Sequence, residues 1–465
     1  MKTSIKNQLL VVLFLLGVTG PAMAELGDYG FWRTLGNLVN PPAADNPVTA
    51  AQRQGDYPLL ANPPGFNDGF SPGNYYAWQT IPLAPETGAV CGNGSEYKFF
   101  VNRVPNTSNT IIYLEGGGAC WDYESCSGQT GIRGARNPDG IPDDYMNLTN
   151  PSASLVSPFV VRLNPLTSVK TQNWNMVYIP YCTGDVYSGD KVAVYEDPEG
   201  EAEPLIWHHN GLRNTRAAIS WVKDNLQRPK QLLTTGCSAG GLGSLTNYHP
   251  TRRDMEPNRG YMINDSGPAF SAPSGADPEA YPSVLLQSFI RDAWGLDQPN
   301  GPLEYLSDGL PLMNLNDLGS LYTALSAELP NDRMGHTHFW QDLNYSSYSY
   351  ERFYPEIENA PDQATKEALI HERWYTDTER LKGTLSNLNN FGYYLPWFRD
   401  VNESHCTTII EFANSDIQEA GLELDDFVAN VLNGSGAVMQ ASETDQQADY
   451  NKPFNPLYWA LDQLL

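Results

Sequence analysis

The chain has 465 residues, 41% of them hydrophobic, and carries 54 acidic against 28 basic side chains, a formal net charge of −26. So acidic a protein repels phosphate-rich polymers and anionic membrane surfaces, which argues against a nucleic-acid partner and against stable membrane insertion. The length and composition are those of a large globular enzyme, and one domain over residues 25–465 is the simplest organisation.

The first 24 residues have the three parts of a secretory signal peptide. They show a basic start, an apolar core at residues 9–18 and a small-residue cleavage site at residues 22–24. No other stretch approaches the roughly 18 uncharged apolar residues of a membrane span. We therefore expect export, to the periplasm or beyond, of a mature chain that begins near Glu25.

Residues 25–90 are rich in Pro, Gly, Asn and Trp and predict a wrapping arm or the rim of a cleft. Regular periodicity begins after Cys91. Short apolar runs bounded by turn residues predict buried strands at residues 97–102, 110–114, 175–181, 231–235 and 261–264. Helical spacing of apolar residues predicts helices over residues 212–225 and beyond Gly240. This alternation predicts an α/β fold with a mostly parallel sheet and helices on both faces.

Two segments interrupt this pattern. Residues 196–203 are acidic and contain a proline, which predicts a solvated loop. Residues 270–330 carry scattered helical patterns without a charge run, and we expect them to form a cap or an insertion.

Six cysteines in an exported chain are an even set in a compartment where disulfides persist. Cys120 and Cys126 are close enough in sequence for a local bridge. Cys91 precedes one predicted strand and Cys182 ends another, so this pair could link adjacent strands. Six cysteines nevertheless permit 15 pairings, and the sequence does not exclude the others.

The remaining two cysteines adjoin two reactive side chains. Cys237 precedes Ser238 and Cys406 follows His405, and the two cysteines could pair or remain as buried thiols. A disulfide requires Cα atoms roughly 4.4 to 6.8 Å apart. A bond between Cys237 and Cys406 would therefore hold a hydroxyl and an imidazole side by side.

Residues 236–240 fit the G-x-S-x-G pattern, in which a sharp strand-to-helix turn exposes a serine oxygen above the sheet edge. The pattern follows the strand predicted at residues 231–235, and the helix beyond it directs its positive end toward the serine. This context predicts that Ser238 is a nucleophile in an α/β-hydrolase-like fold.

A nucleophilic serine needs hydrogen-bond donors for the oxyanion that develops in the transition state. The glycine-rich run at residues 114–120 ends a predicted strand and is similar to the HGGG-type loop of esterases. We expect the N–H groups of Gly117, Gly118 and Ala239 to form the oxyanion hole. The alternative is a glycine turn that serves only close backbone packing.

The catalytic base and the catalytic acid are predicted from the order of residues along the sequence. His405 lies after Ser238, as the Ser, acid, His order of α/β hydrolases requires. Asp342 follows a strand-like run between these two residues and is the favoured acid, which would orient the imidazole and stabilise its cation. Asp265 is the alternative acid and Asp416 a third candidate.

The other histidines suggest weaker metal-site alternatives. His208 and His209 are adjacent, and neighbours of this kind rarely face one metal. His336 and His338 could share a strand face and form a cluster with Asp342. No H-E-x-x-H pattern supports a metal, so we expect neither a metal nor another cofactor.

Several motifs together resemble the pectin acetylesterase and Notum family of serine carboxylesterases. They lie at residues 91–95, 114–121, 179–186, 236–242, 265–267 and 404–406, and the resemblance covers roughly residues 75–430. It implies an α/β-hydrolase-like fold without a cofactor and with catalysis by Ser238, Asp342 and His405. The Cys-Ser and His-Cys pairs are similar to those of plant pectin acetylesterases, tannases and feruloyl esterases.

This chain departs from the family pattern at two positions. Gly118 stands where an aromatic residue is usual, which implies a differently shaped acyl pocket. Asp342 lacks the family's Asp-x-x-Gln context, because Tyr345 stands at the position of the glutamine.

The expected function is a secreted serine esterase that removes a short acyl group, most simply acetyl, from a carbohydrate such as pectin through an acyl-enzyme. Four aromatic residues could stack on sugar faces: Trp78, Trp121, Tyr187 and Trp207. One alternative is an esterase for longer acyl or aromatic esters, of the feruloyl, tannin-like or polyester kind, with the cap shaping a lipophilic pocket. Another is a non-catalytic polysaccharide-binding envelope protein.

Overall fold

A computed structural model of the chain describes residues 74–127, 134, 136–146, 157–164, 167–399 and 401–444. The expected signal peptide and residues 25–73 of the expected arm lie outside these ranges. Every helix in the described ranges is too short or too polar to cross a lipid bilayer.

The described residues contain eleven strands. In chain order they are β1 (Trp78–Pro82), β2 (Lys98–Asn102), β3 (Thr110–Leu114), β4 (Asn175–Ile179), β5 (Lys191–Tyr195), β6 (Leu205–His209), β7 (Gln231–Cys237), β8 (Arg259–Asp265), β9 (Arg333–Thr337), β10 (Phe391–Leu395) and β11 (Gln440–Ser442). Nine of them form one sheet in the order β1-β2-β4-β3-β7-β8-β9-β10-β11. The β1–β2 and β2–β4 pairs are antiparallel and the other neighbours are parallel, which confirms the predicted mostly parallel sheet.

Ten α-helices connect and cover these strands within the described ranges. They are α1 (Tyr123–Cys126), α2 (Gly211–Asn225), α3 (Ala239–Met255), α4 (Val284–Ala293), α5 (Pro302–Ser307), α6 (Ser320–Glu328), α7 (Leu343–Tyr350), α8 (Pro355–Glu358), α9 (Gln363–Leu385) and α10 (Leu424–Asn433). Strands β2, β3, β4, β7 and β8 and helices α2 and α3 correspond to the predicted elements.

The sequences of the central strands are apolar throughout and do not alternate between apolar and polar residues. Every residue of β3 and β4 is buried, because both faces of the sheet are covered. Helix α2 contributes an apolar stripe that includes Leu212, Ile219 and Val222, spaced so that they share one helix face. Helix α3 packs against β7 and β8 and against α2.

Three regions outside the sheet core differ in how well they were predicted. Residues 78–82 of the expected arm form the edge strand β1. The acidic residues 196–203 join the antiparallel pair β5 and β6 and are mostly exposed, as expected. The expected cap at residues 270–330 contains α4, α5 and α6, but a second helical insertion between β9 and β10, comprising α7 to α9, was not predicted.

The parallel strands β3, β7, β8, β9 and β10 end at the same edge of the sheet. In such sheets the loops that follow the carboxyl ends of the strands form the ligand site. The loops at this edge carry each of the candidate catalytic residues.

Candidate active site

Ser238 occupies the turn between β7 and α3. Its φ of 58° and ψ of −123° are rare for a residue with a side chain, and such a conformation costs of order 1–3 kcal/mol. The turn is held by the Ser238 N–H, which donates to the Asp265 carbonyl at 2.9 Å, and by the Leu242 N–H, which donates to the Ser238 carbonyl at 3.1 Å. The Ser238 side chain borders a small pocket at the sheet edge.

The small residues around Ser238 are required by close packing against the end of β3. A Cβ atom at Gly240 would collide with the carbonyl oxygen of Leu114, and one at Gly236 would meet the same oxygen. These collisions explain why the G-x-S-x-G pattern carries glycine at both ends.

His405 and Asp342 meet at this edge. The His405 Nδ1 lies 2.8 Å from the Asp342 Oδ2, and both side chains are buried. The other carboxylate oxygen of Asp342 accepts from the Tyr345 N–H at 2.9 Å and caps helix α7. Because the carboxylate accepts the Nδ1 proton, the Nε2 atom carries the free lone pair, and no described residue forms a hydrogen bond with it.

Three disulfides are present, and they join the pairs that the sequence analysis favoured: Cys91–Cys182, Cys120–Cys126 and Cys237–Cys406. The third has Cα atoms 5.7 Å apart and links positions 169 residues apart in the chain. A ring nitrogen of His405 lies within 4.8 Å of both sulfur atoms of this disulfide. The imidazole is thus held beside the residue that precedes Ser238.

The loop that carries His405 is anchored from two sides. The Arg399 guanidinium donates to the carbonyls of His405 and Cys406 at 2.8 and 2.6 Å. The buried Asp265 carboxylate accepts from the N–H groups of Thr407 and Thr408, both at 2.8 Å, and from their hydroxyls. Burial raises the pKa of Asp265, while the hydrogen bonds from Thr408 and Thr407 lower it.

These contacts separate the three candidate acids. Asp342 is hydrogen-bonded to the His405 imidazole. Asp265 instead accepts hydrogen bonds from the backbone and hydroxyl groups of Thr407 and Thr408. Asp416 accepts from the Leu424 N–H at 3.0 Å at the start of α10. The geometry therefore favours Asp342 as the acid and makes Asp265 an anchor of the histidine loop. The Asp-Ser-Gly motif at residues 265–267 was the available sequence signal for that role.

The glycine-rich loop after β3 lies next to Ser238. Gly118 and Ala239 line the Ser238 pocket, and no described residue accepts a hydrogen bond from either N–H group. Gly118 has a φ of 75°, which suits glycine. Gly117 is not among the residues that line this pocket, and a Cβ there would meet Arg136 and Tyr181.

Sequence reasoning missed the residue that anchors this loop. The buried carboxylate of Glu115 accepts from the Tyr181 N–H at 3.0 Å and from the Tyr145 hydroxyl at 2.5 Å, and it lies 3.7 Å from the Arg136 guanidinium. Burial raises the pKa of Glu115, and the charge of Arg136 opposes that rise. Glu115 thereby connects the glycine-rich loop to the segment that follows strand β4.

An apolar cavity adjoins the Ser238 pocket. It holds about 810 Å³ of space not filled by protein atoms, part of it open to solvent. Leu286, Ile290 and other side chains of residues 270–330 form most of its wall. Val186, Tyr345 and Tyr348 line both this cavity and the Ser238 pocket, so the two spaces share a wall.

The histidines considered for a metal site have other partners. The His336 Nε2 lies 2.7 Å from the His338 Nδ1, and the His338 Nε2 lies 3.1 Å from the Thr378 hydroxyl. Burial lowers the pKa of His336 to about 3 and lowers the pKa of His338 well below its usual value, so both rings are neutral. The His209 Nε2 lies 2.7 Å from the Tyr195 hydroxyl.

Two groups of three metal-ligand side chains occur among the described residues. They are Cys120 with Cys126 and His209, and Cys237 with His405 and Cys406. The four cysteines are all in disulfides, which lack the thiolate that binds metals. Neither group contains the proposed cluster of His336, His338 and Asp342.

The expected sugar-stacking role of three aromatic residues is wrong. Trp121, Tyr187 and Trp207 are buried, with exposed fractions of 3%, 1% and 2%. The Tyr187 hydroxyl donates to the carbonyls of Glu115 and Ile179, and the Trp207 indole N–H to the Thr183 carbonyl. These rings support the loops of the site from inside the protein, and Trp78 is half-buried.

Known proteins resemble this chain in sequence and fold. The family model for pectinacetylesterase matches residues 73–273. The palmitoleoyl-protein carboxylesterase Notum of Drosophila melanogaster is 27% identical over 218 residues, which cover 46% of this chain and 30% of that protein. Pectin acetylesterase 5 of Arabidopsis thaliana is 30% identical over 238 residues, 49% of each chain.

These sequence matches span between about a third and a half of the relatives' own lengths. A crystal structure of the Wnt deacylase Notum from Drosophila superposes on 80% of this chain and 99% of its own, with 20% identity and a TM-score of 0.52. The described architecture is thus a Notum-like α/β-hydrolase fold, as expected from the sequence.

Proposed function

We propose that this chain, which belongs to the pectin acetylesterase and Notum family, hydrolyses carboxylic esters with Ser238 as nucleophile, His405 as base and Asp342 as the orienting acid. One observation carries the proposal. The His405 imidazole is bonded to Asp342 at 2.8 Å in a loop that a disulfide ties to the residue before Ser238. That arrangement supports a hydrolytic triad of Ser238, His405 and Asp342.

The reaction proceeds through an acyl-enzyme. His405 Nε2 takes the Ser238 proton as the serine oxygen attacks the ester carbonyl carbon, and the N–H groups of Gly118 and Ala239 stabilise the oxyanion. His405 then passes the proton to the departing alcohol. A water molecule activated by the same imidazole releases the acid, while Asp342 holds the Nδ1 proton and stabilises the imidazolium.

The acyl group is longer than acetyl in this proposal. The apolar cavity shares Val186, Tyr345 and Tyr348 with the Ser238 pocket, so the two spaces are adjacent, and the proposed acyl chain runs from Ser238 into this cavity. Each methylene that leaves water contributes about 0.8 kcal/mol. An acetyl group would leave this cavity unused. The relative Notum is named as a palmitoleoyl-protein carboxylesterase, which agrees with a long acyl group.

Removal of acetyl groups from a carbohydrate such as pectin is the second candidate. It is supported by the pectinacetylesterase model, which matches the segment that carries Ser238 and the glycine-rich loop. Export of the protein fits either substrate. The three disulfides support an oxidising compartment, since such bonds persist in the periplasm or outside the cell.

Rates on a series of para-nitrophenyl esters test the function and separate the two candidates. We expect kcat/KM to rise from acetyl through butyryl to octanoyl by about tenfold or more, because each added methylene leaves water for the cavity. A maximum at acetyl, with activity on acetylated pectin, would favour the carbohydrate candidate. Absence of hydrolysis of every ester in the series would contradict the esterase assignment itself.

Removal of the Cys237–Cys406 disulfide should lower kcat strongly in a protein that still folds. In the double variant Cys237→Ala/Cys406→Ala, Arg399 and Asp265 still anchor the histidine loop, so the protein should fold. A displacement of about 1 Å between Ser238 and His405 would cost up to about 100-fold in kcat. Kinetics and thermal unfolding of the purified variant measure both effects.

The matched control is the double variant Cys91→Ala/Cys182→Ala. It removes a disulfide of the same chemistry that does not touch His405, so we expect a lower Tm with kcat changed less than about threefold. Equal kcat losses in the two double variants would show that the Cys237–Cys406 bond has no special part in aligning Ser238 and His405.

A further inference from the structure

We propose that Val186 is a specificity-determining residue, whose side chain limits the width available to an acyl chain where it leaves the Ser238 pocket for the apolar cavity. This inference rests on the esterase function proposed above, and in particular on an acyl chain that runs into the cavity. It adds a chemical feature of that chain: the protein selects acyl groups that are unbranched near the ester carbonyl.

Val186 borders both spaces. It lines the pocket together with Gly118 and Ser238, and it lines the cavity together with Leu242. The residue is buried, with an exposed fraction of 4%. Because Val186 borders the pocket that holds the nucleophile, an acyl chain on the proposed path passes it with the carbons nearest the ester carbonyl.

The backbone of Val186 has a conformation that its own side chain opposes. Val186 has a φ of 48° and the next residue, Tyr187, a φ of 63°, so two successive residues with side chains lie in the left-handed region. A β-branched residue in this region is an outlier. Such outliers cost free energy and cluster at functional sites. Glycine would adopt the same turn without that cost, but it would place no side chain at the boundary.

Hydrogen bonds hold this strained pair of residues. The Val186 N–H donates to the Tyr181 hydroxyl at 2.8 Å, and the Tyr187 N–H donates to the Asp185 carboxylate at 3.2 Å. The Tyr187 carbonyl accepts from the Asn247 side-chain amide at 3.1 Å. The direction of the Val186 side chain is therefore set by contacts on both sides of the turn.

Asp185 connects the turn to the start of helix α2. Its buried carboxylate accepts from the Gly211 N–H at 2.7 Å and from the Thr183 hydroxyl at 2.6 Å. A Cβ atom at Gly189 or at Gly211 would collide with this carboxylate, so the segment is closely packed around it. A segment held in this way yields little to a ligand, and the acyl chain has to fit beside Val186.

Val186 is the aliphatic member of the three residues that the two spaces share. The other two, Tyr345 and Tyr348, belong to helix α7. Additional methyl groups in a closely packed site force side chains and backbone to shift, which is unfavourable. A linear chain needs the least width at this boundary, whereas a branch close to the ester carbonyl has to displace one of its walls.

The experiment compares two isomeric acyl groups on the wild-type protein. The substrates are para-nitrophenyl hexanoate and para-nitrophenyl 3,3-dimethylbutanoate, which have the same number of acyl carbons. Each kcat/KM is divided by the rate of the same ester with hydroxide ion, which corrects for the intrinsic hindrance of the branched ester. We expect the corrected ratio to favour the linear ester by about tenfold or more.

Two variants assign this selection to the Val186 side chain. Val186→Gly removes the side chain and suits the left-handed backbone. Val186→Ala shortens the side chain but retains the unfavourable φ. Both should reduce the corrected ratio to less than about threefold, because both widen the boundary. A reduction in Val186→Gly alone would show that the backbone conformation matters instead of the side chain, and would contradict the proposal.

The matched control is Ile410→Gly. Ile410 is also a β-branched, buried residue with a left-handed φ, 66°, but it is not among the residues that line either space. Its replacement relieves the same kind of backbone strain without widening the boundary. The wild-type ratio should persist in this variant, and an equal reduction there would contradict the role of Val186.

Equal corrected rates for the two isomers on the wild-type protein would overturn the inference whether or not the variants fold. Hydrolysis of the acetyl ester without hydrolysis of either isomer would also overturn it, and the esterase function would stand. Failure on both isomers and on the whole chain-length series would contradict the esterase function instead.

Discussion

Ser238→Ala should lower kcat by ~10⁶-fold for every ester that the wild-type protein hydrolyses, since removal of the nucleophile of a catalytic triad typically has that effect. Labelling by a fluorophosphonate, which attaches to activated serines, should disappear together with the activity. Alanine retains the small side chain that the turn beside Gly236 and Gly240 demands, so the variant should fold. Kinetics and mass spectrometry of the labelled peptide provide the measurements.

The matched control is Ser244→Ala on the same helix. The Ser244 hydroxyl is buried and donates to the Gly241 carbonyl at 2.7 Å, away from the pocket that Ser238 lines. This variant should be labelled at Ser238 like the wild type. Labelling at another serine, or a loss below about tenfold in Ser238→Ala, would refute Ser238 as the nucleophile.

Asp342→Asn should lower kcat by ~10⁴-fold, a size known for the equivalent change in other triads. An asparagine amide facing His405 Nδ1 favours the tautomer that carries its proton on Nε2, and that tautomer cannot accept the Ser238 proton. Asparagine can still accept from the Tyr345 N–H, so the cap of helix α7 is preserved. Steady-state kinetics and the Tm of the variant separate catalytic from structural loss.

The other two candidate acids provide the comparison. Asp416→Asn should change kcat by less than about threefold, because its carboxylate caps the start of α10. Asp265→Asn should mainly lower the Tm, since two N–H groups and two hydroxyls of Thr407 and Thr408 lose a charged acceptor. A larger kcat loss in Asp265→Asn than in Asp342→Asn would transfer the role of the acid to Asp265.

The elements with the most regular local pattern were predictable. Strands β3 and β4 are buried on both faces, so their residues form unbroken apolar runs with turn residues at each end. Helix α9, the longest in the part of the chain that the structure describes, was not predicted. Only a few of its 23 residues are buried, among them Ile370, Trp374 and Leu381, and its surface is polar, so its apolar stripe is sparse.

The aspartates show where prediction of the site stopped. Asp265, Asp342 and Asp416 all lie in sequence positions that an acid could occupy, and only the 2.8 Å contact with His405 distinguishes Asp342. The part played by Arg399 was equally hidden, because its partners are backbone carbonyls that carry no sequence signal.

Local sequence was enough to predict the sharp turn at Ser238, the glycine-rich loop, the central strands and the cysteines that adjoin Ser238 and His405. Each of these depends on steric or covalent constraints within a few residues of chain. The identity of the carboxylate bonded to the imidazole, the anchoring of the histidine loop and the side chains that enclose the cavity became visible only in the folded chain. Those features bring together residues that are far apart in the sequence, such as Asp342 and His405, or Val186 and Tyr348. The distances between such residues are set by the packing of the whole fold.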